Sequence, residues 1–141
     1  MQILIRSLSL ILVINSLGFA QEQVTRVEFE NDLVPLFTRH GCNAGACHGA
    51  AIGRGGFRLS LYGGDPKADY DAIVRHMRGR RVNLARPEAS LVVLKPTDHV
   101  EHGGGAVIDD DGPSAQLLLD WIRQGASYES SRQLVRVVVT P

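Results

Sequence analysis

The chain has 141 residues, 44% of them apolar and 21% charged, and its fifteen basic residues balance fifteen acidic ones. These proportions fit one globular domain and exclude a disordered chain, a collagen and a disulfide-dense miniprotein. A neutral chain also argues against a nucleic-acid partner, and eight aromatic residues are few from which to build a core.

Residues 1–20 read as a secretory signal peptide. Arg6 is followed by an uncharged run of 14 residues from Ser7 to Ala20, ending in Gly18-Phe19-Ala20. Small residues there suit a signal-peptidase site, and the run is short of the roughly 20 residues of a stable membrane span. An uncleaved anchor is the alternative. The chain is therefore expected to be exported, to the periplasm or beyond, where thiols tend to oxidise.

Residues 21–27 form a polar lead. Phe29, Leu33, Val34, Leu36 and Phe37 recur at helical spacing and predict a helix over 29–39, with Asn31 as its cap and Gly41 as its end. Eight of the 24 residues from Gly41 to Gly64 are glycine, so this stretch is read as loop. Within it, residues 57–62 alternate like a short strand or extended segment. Asp65-Pro66 opens a turn. A second helix is predicted over 69–77, with Tyr70, Ile73, Val74 and Met77 on one side. A third starts at Pro87 and runs through Leu94 to Pro96. Residues 99–112 are a Gly- and Asp-rich loop. The clearest helix is 114–124, capped by Ser114, with Leu117, Leu118, Trp121 and Ile122 toward the core and Gly125 at its end. Residues 134–139 are β-like and have no strand of similar strength to pair with. The prediction is a mainly α fold of three to five short helices. Loops this long are unusual in a compact domain unless they wrap something.

Cys42-Asn43-Ala44-Gly45-Ala46-Cys47-His48 carries the chemistry. Two cysteines followed directly by histidine form the attachment signal of c-type haem, usually with two residues between the thiols. Here there are four, a longer gap that also occurs among such sites. Two thiols supply thioethers to the haem vinyl groups, and the adjacent imidazole reaches the iron. A large apolar disc would also make up for the few aromatics. Three alternatives stay open on these residues: a Cys42–Cys47 disulfide, a zinc site of Cys42, Cys47, His48 and a further histidine, and catalytic thiol chemistry.

Several stretches in order, DLVPLFTRHGCNAGACHGA, GGFRLSLYG, GRRVNLARPEASLVVLKPT, HGGG and LLLDWIRQGA, span roughly residues 27–128. Together they resemble the cytochrome c-like domain near the N-terminus of large secreted proteins of planctomycete-type bacteria. The resemblance implies a class I cytochrome c-like fold, in which the 29–39 helix packs across the 114–124 helix and one covalent haem c sits between. It implies residues 1–20 as signal peptide, 21–130 as haem domain and 131–141 as the start of a following β domain, which the chain would hold only in part.

His48 is then the proximal axial ligand. The loop from Thr97 to Gly112, where ordinary cytochromes c carry a methionine, contains none. It contains His99 and His102, and the related block has histidine at the position of His102, just before the glycines. His102 is the favoured distal ligand, with Met77 and His99 behind it. Met77 reads better as core, and His76 and His40 as surface residues. Arg80 and Arg81, in a run of five arginines between Arg75 and Arg86, are candidates for the haem propionates or for docking an acidic redox partner. Asp109–Asp111 reads as a polar turn, Trp121 as core, and no hydrolase motif is present. The expected function is an exported mono-haem electron-transfer module rather than an enzyme, with a redox partner protein and, in a larger protein, downstream domains as partners. The alternative is a structural or interaction module held by a disulfide or zinc. A peroxidase-like or sensor role requires an open sixth iron position.

Overall fold

The computed structural model describes residues 25–133 and 135–140; the predicted signal peptide lies outside the described residues. Four α-helices make the frame: α1 (Val34–Arg39), α2 (Pro66–Val74), α3 (Leu91–Leu94) and α4 (Pro113–Arg123). Tighter turns at Leu61–Gly63, His76–Gly79 and Pro87–Ala89 connect them. The mainly helical expectation is met, and no strand forms among the described residues.

The helical run expected from Phe29 does begin there, but its first turn, Phe29–Leu33, is wide and has i→i+5 bonding. Asn31 is not its cap. It lies inside the turn and donates to Glu28 and to Ser130 instead. Pro35 is tolerated near the start of α1, where its missing N–H breaks nothing. Gly41 (φ 71°) and Gly125 (φ 95°) terminate α1 and α4 in the left-handed region, as their sequence positions suggest.

α2, nine residues from Pro66 to Val74, has the expected length but starts three residues earlier than its apolar spacing predicts. Asp65 accepts from the Ala68 amide and caps it at Pro66, so Asp65-Pro66 starts a helix rather than a free turn. It stops at Val74, because Met77 and Arg78 take left-handed backbone angles. The 87–94 segment breaks at Ser90, whose extended backbone (ψ 131°) separates a tight turn from α3. α4 is capped by Gly112 and not by the Ser114 side chain. Within the predicted 57–62 strand a single bridge forms, Arg54 to Phe57, and Leu61–Gly63 is a tight turn instead.

The aromatics gather in one half of the core. Phe29 is fully buried, with Phe37, Tyr70, Trp121 and Tyr128 all within 6.3 Å of its ring centre. The Phe29–Trp121 contact, at 5.6 Å, brings the first helical turn against α4. The polar tips find acceptors, since Tyr70 donates to the Ala126 carbonyl and Trp121 to that of Ser127 (3.0 Å each). Leu117 is only half-buried, while Leu118 and Ile122 are core as expected.

A polar clasp joins the two ends of this half. The Glu28 carboxylate is buried yet accepts from Asn31, Ser130, Ser131 and the Arg132 side chain. Arg132 also reaches Asp32, Arg26 pairs with Glu129, and Tyr128 donates to Glu30. Beyond the clasp the predicted β-like tail is not a strand among the described residues. Val135, Val137, Val138 and Val139 are exposed, because no neighbouring edge supplies the hydrogen bonds that a strand requires.

Candidate functional site

The other half of the core is a cavity of about 580 Å³. Phe37, Leu59, Ile73, Leu91, Val92, Val107 and Ile108 form its apolar wall, and Cys42, Cys47, His48 and His102 also line it. The structure therefore brings four of the six predicted site residues together around one chamber. The other two, Arg80 and Arg81, line it as well, together with Arg54 and Lys95 and no carboxylate.

The cysteine loop is built on the end of α1. The Cys42 amide donates to Phe37 O (2.8 Å), the His48 amide to Cys42 O (2.9 Å) and the Leu59 amide to His48 O (2.8 Å). The loop is so tight that a Cβ on Gly49 would lie 2.0 Å from the Asn43 carbonyl oxygen. Both thiols are free. Burial, with Cys47 beside it, pushes the Cys42 thiol up to about 11. A thiol so hard to ionise is not an activated nucleophile, which weighs against Cys42 as a catalytic thiol. Among the described residues no three His, Cys, Asp or Glu side chains cluster as a zinc ion would need.

The two histidines are set in the same way. His48 Nδ1 lies 3.1 Å from Phe57 O, and His102 Nδ1 lies 2.9 Å from Gly105 O. A carbonyl only accepts, so each Nδ1 carries the proton and each Nε2 keeps its lone pair. That is the arrangement by which ligating histidines are oriented. Burial holds the His48 imidazole below its ordinary range, against the raising effect of the Phe57 carbonyl, and His102 and Arg81 nearby act in the same direction as burial. The two rings are 6.1 Å apart between centroids and 21° from parallel. A haem fits these residues: two thiols, two imidazoles whose Nδ1 atoms are held by backbone carbonyls, and an apolar chamber within the usual range of cofactor sites, about 300–1,000 Å³. Gly55 and Gly103 line the chamber, and no protein atom lies within 4 Å of where their Cβ atoms would be.

The remaining candidates separate. Arg81 is half-buried and fixed: it donates to Ala72 O (2.9 Å) and stacks 4.4 Å over the Phe57 ring. Arg80 is exposed at the rim. Met77 is not core. It is 61% exposed on a left-handed turn, where its sulfur accepts from Arg81. His99 is exposed and pairs with Asp110 (2.8 Å), within the predicted polar turn, and His76 is exposed as expected. His40 is not a surface residue. It is half-buried on the chamber wall, with Nδ1 2.8 Å from Val107 O and Nε2 2.9 Å from Ser114 Oγ. Among the described residues no helix is long and apolar enough to cross a membrane. Comparison of the chain with family models, with curated proteins and with solved structures gives no match.

Proposed function

We propose that the protein is an exported mono-haem c-type cytochrome domain, with a class I cytochrome c-like fold, that transfers single electrons to and from a redox partner protein. One observation carries the reading. Cys42, Cys47, His48 and His102 line one apolar chamber, and the two imidazoles stand 6.1 Å apart with their Nδ1 atoms held by backbone carbonyls.

In this reading Cys42 and Cys47 would hold the group covalently, and His48 and His102 would ligate its iron. When bound, the haem iron supplies the one-electron couple. The chain's own part is to fix the ligand nitrogens, exclude water with the Phe37, Ile73, Val92 and Ile108 wall, and place positive charge at the rim through Arg80 and Arg81. Arg81 suits a propionate carboxylate, since its guanidinium is already oriented by Ala72 and Phe57. Two protein ligands leave no iron position for a substrate, which favours a carrier over an enzyme.

The test is to express the whole chain in a host that matures c-type haem and record a pyridine haemochrome spectrum of the denatured protein. The expected result is a haem that resists acid–organic extraction, with the α-band shift of two thioethers, lost in Cys42→Ser/Cys47→Ser. A colourless protein, from a host shown to mature other cytochromes, overturns the reading and leaves a structural module.

A further inference from the structure

We infer that His40 is a positioning residue that sets the loop carrying the distal histidine. The inference rests on the haem reading above for its consequence, and on geometry alone for the contact itself. His40 closes α1, two residues before Cys42. Its imidazole spans to two elements far along the chain, Val107 O at 2.8 Å and Ser114 Oγ at 2.9 Å. Val107 O only accepts, so Nδ1 donates to it and Nε2 accepts from the serine hydroxyl. Both ring nitrogens are satisfied in one tautomer, which a surface histidine has no reason to achieve.

The loop that His40 grips is otherwise hydrogen-bonded to its own stem and to itself, with Val100 N donating to Leu94 O (3.1 Å) and His99 pairing with Asp110. Its base is pinned where the Val107 and Ile108 amides share the Pro96 carbonyl (2.8 and 3.0 Å). Its tip folds on itself, with the Gly105 amide donating to His102 O and His102 Nδ1 to Gly105 O. Lys95 reaches Glu101 O from the stem. Gly103 and Gly104 are exposed. Ile108 packs in the same apolar cluster as Leu36 and Phe37 of α1, and among the hydrogen bonds of the described residues the one from His40 ties this loop to α1 and so to the cysteine side of the chamber. It fixes Val107, two residues from the carbonyl that orients His102. The distance between the two imidazoles is thereby tied to the end of the helix that places the thiols.

The test compares the wild type with His40→Ala and His40→Gln, in full-length protein, by two readouts. The first is the rate at which carbon monoxide binds the reduced protein, which is limited by release of the distal ligand. Loss of two hydrogen bonds should raise it about tenfold. His40→Gln, which can both donate and accept, should restore most of it. In a His102→Ala background His40→Ala should add nothing, because the effect acts through His102. The second readout is amide hydrogen exchange, which requires no haem. His40→Ala should speed exchange across 97–112 about tenfold relative to 115–123. An unchanged carbon monoxide rate with a lower melting temperature, or faster exchange spread evenly over α1, α4 and the loop, overturns the inference. A wild-type chain without haem overturns the haem reading instead, and exchange across 97–112 then decides alone whether His40 holds the loop.

Discussion

Phe29 sits in one half of the core with four aromatic rings within 6.3 Å of its own, whereas Ile73, Val92 and Val107 in the other half line a cavity of about 580 Å³. Protein interiors are close-packed, and a chain seldom leaves a void many times the size of a water molecule in its core. The contrast teaches where the limited aromatic supply has been spent. Four of the eight aromatics, Phe29, Tyr70, Trp121 and Tyr128, pack together in one half, Phe37 faces both that half and the chamber, and the other half is shaped as a wall.

The comparison breaks first at its extremes. Trp121→Ala should cost about 3–5 kcal/mol in denaturant unfolding, while Val92→Ala, which removes methyls from the cavity wall, should cost less than about 2 kcal/mol. Equal costs would mean that both halves are filled alike. Gly49 and Gly103 sharpen the contrast within the cavity half. Gly49→Ala forces a methyl against the Asn43 carbonyl and should cost about 1–3 kcal/mol, with impaired haem attachment read from absorbance per chain. Gly103→Ala has open space and should stay within about 0.5 kcal/mol. In the proposed haem protein His102→Met should raise the reduction potential in a redox titration with little change in folding, since methionine ligation favours the reduced state. An unchanged potential would remove His102 from the proposed ligand pair.

Acid should act on the aromatic half through Glu28. Hydrogen bonds from Asn31 and Ser131, against the opposing effect of burial, hold the Glu28 carboxyl well below the ordinary glutamate range. The folded state therefore favours the carboxylate. Its contribution is present above the unfolded glutamate value, about 4.3, and fades as pH falls from there toward the folded value. Melting temperatures measured from pH 7 down to pH 3 should fall in the wild type. The part of that fall due to Glu28 should be missing in Glu28→Gln, at the cost of a lower plateau at neutral pH.

Legibility in the sequence followed locality. α4 could be read because Leu118, Trp121 and Ile122 repeat along one face and Gly125 ends it. The cysteine loop and His48 could be read because their chemistry lies within seven consecutive residues. His102 was reached through its loop and a resemblance, and the structure places it across from His48. What escaped depends on partners distant in sequence. His40 bonds residues 67 and 74 positions away, and nothing beside it in the chain announces either. Apolar spacing places Met77 in the core, but the left-handed turn that expels it leaves no periodic mark. The 134–139 stretch has the β-branched composition of a strand, yet composition supplies no neighbouring edge.

The clasp around Glu28 has a mechanical consequence. Residues 26–32 and 127–132 are about a hundred positions apart in sequence and lie side by side. Tension drawn through these two segments would load their charged contacts before it reached Trp121 or the chamber. The polar network thus acts as a sacrificial link. Under a pull it opens first, and the geometry of the two histidines remains shielded until it has given way.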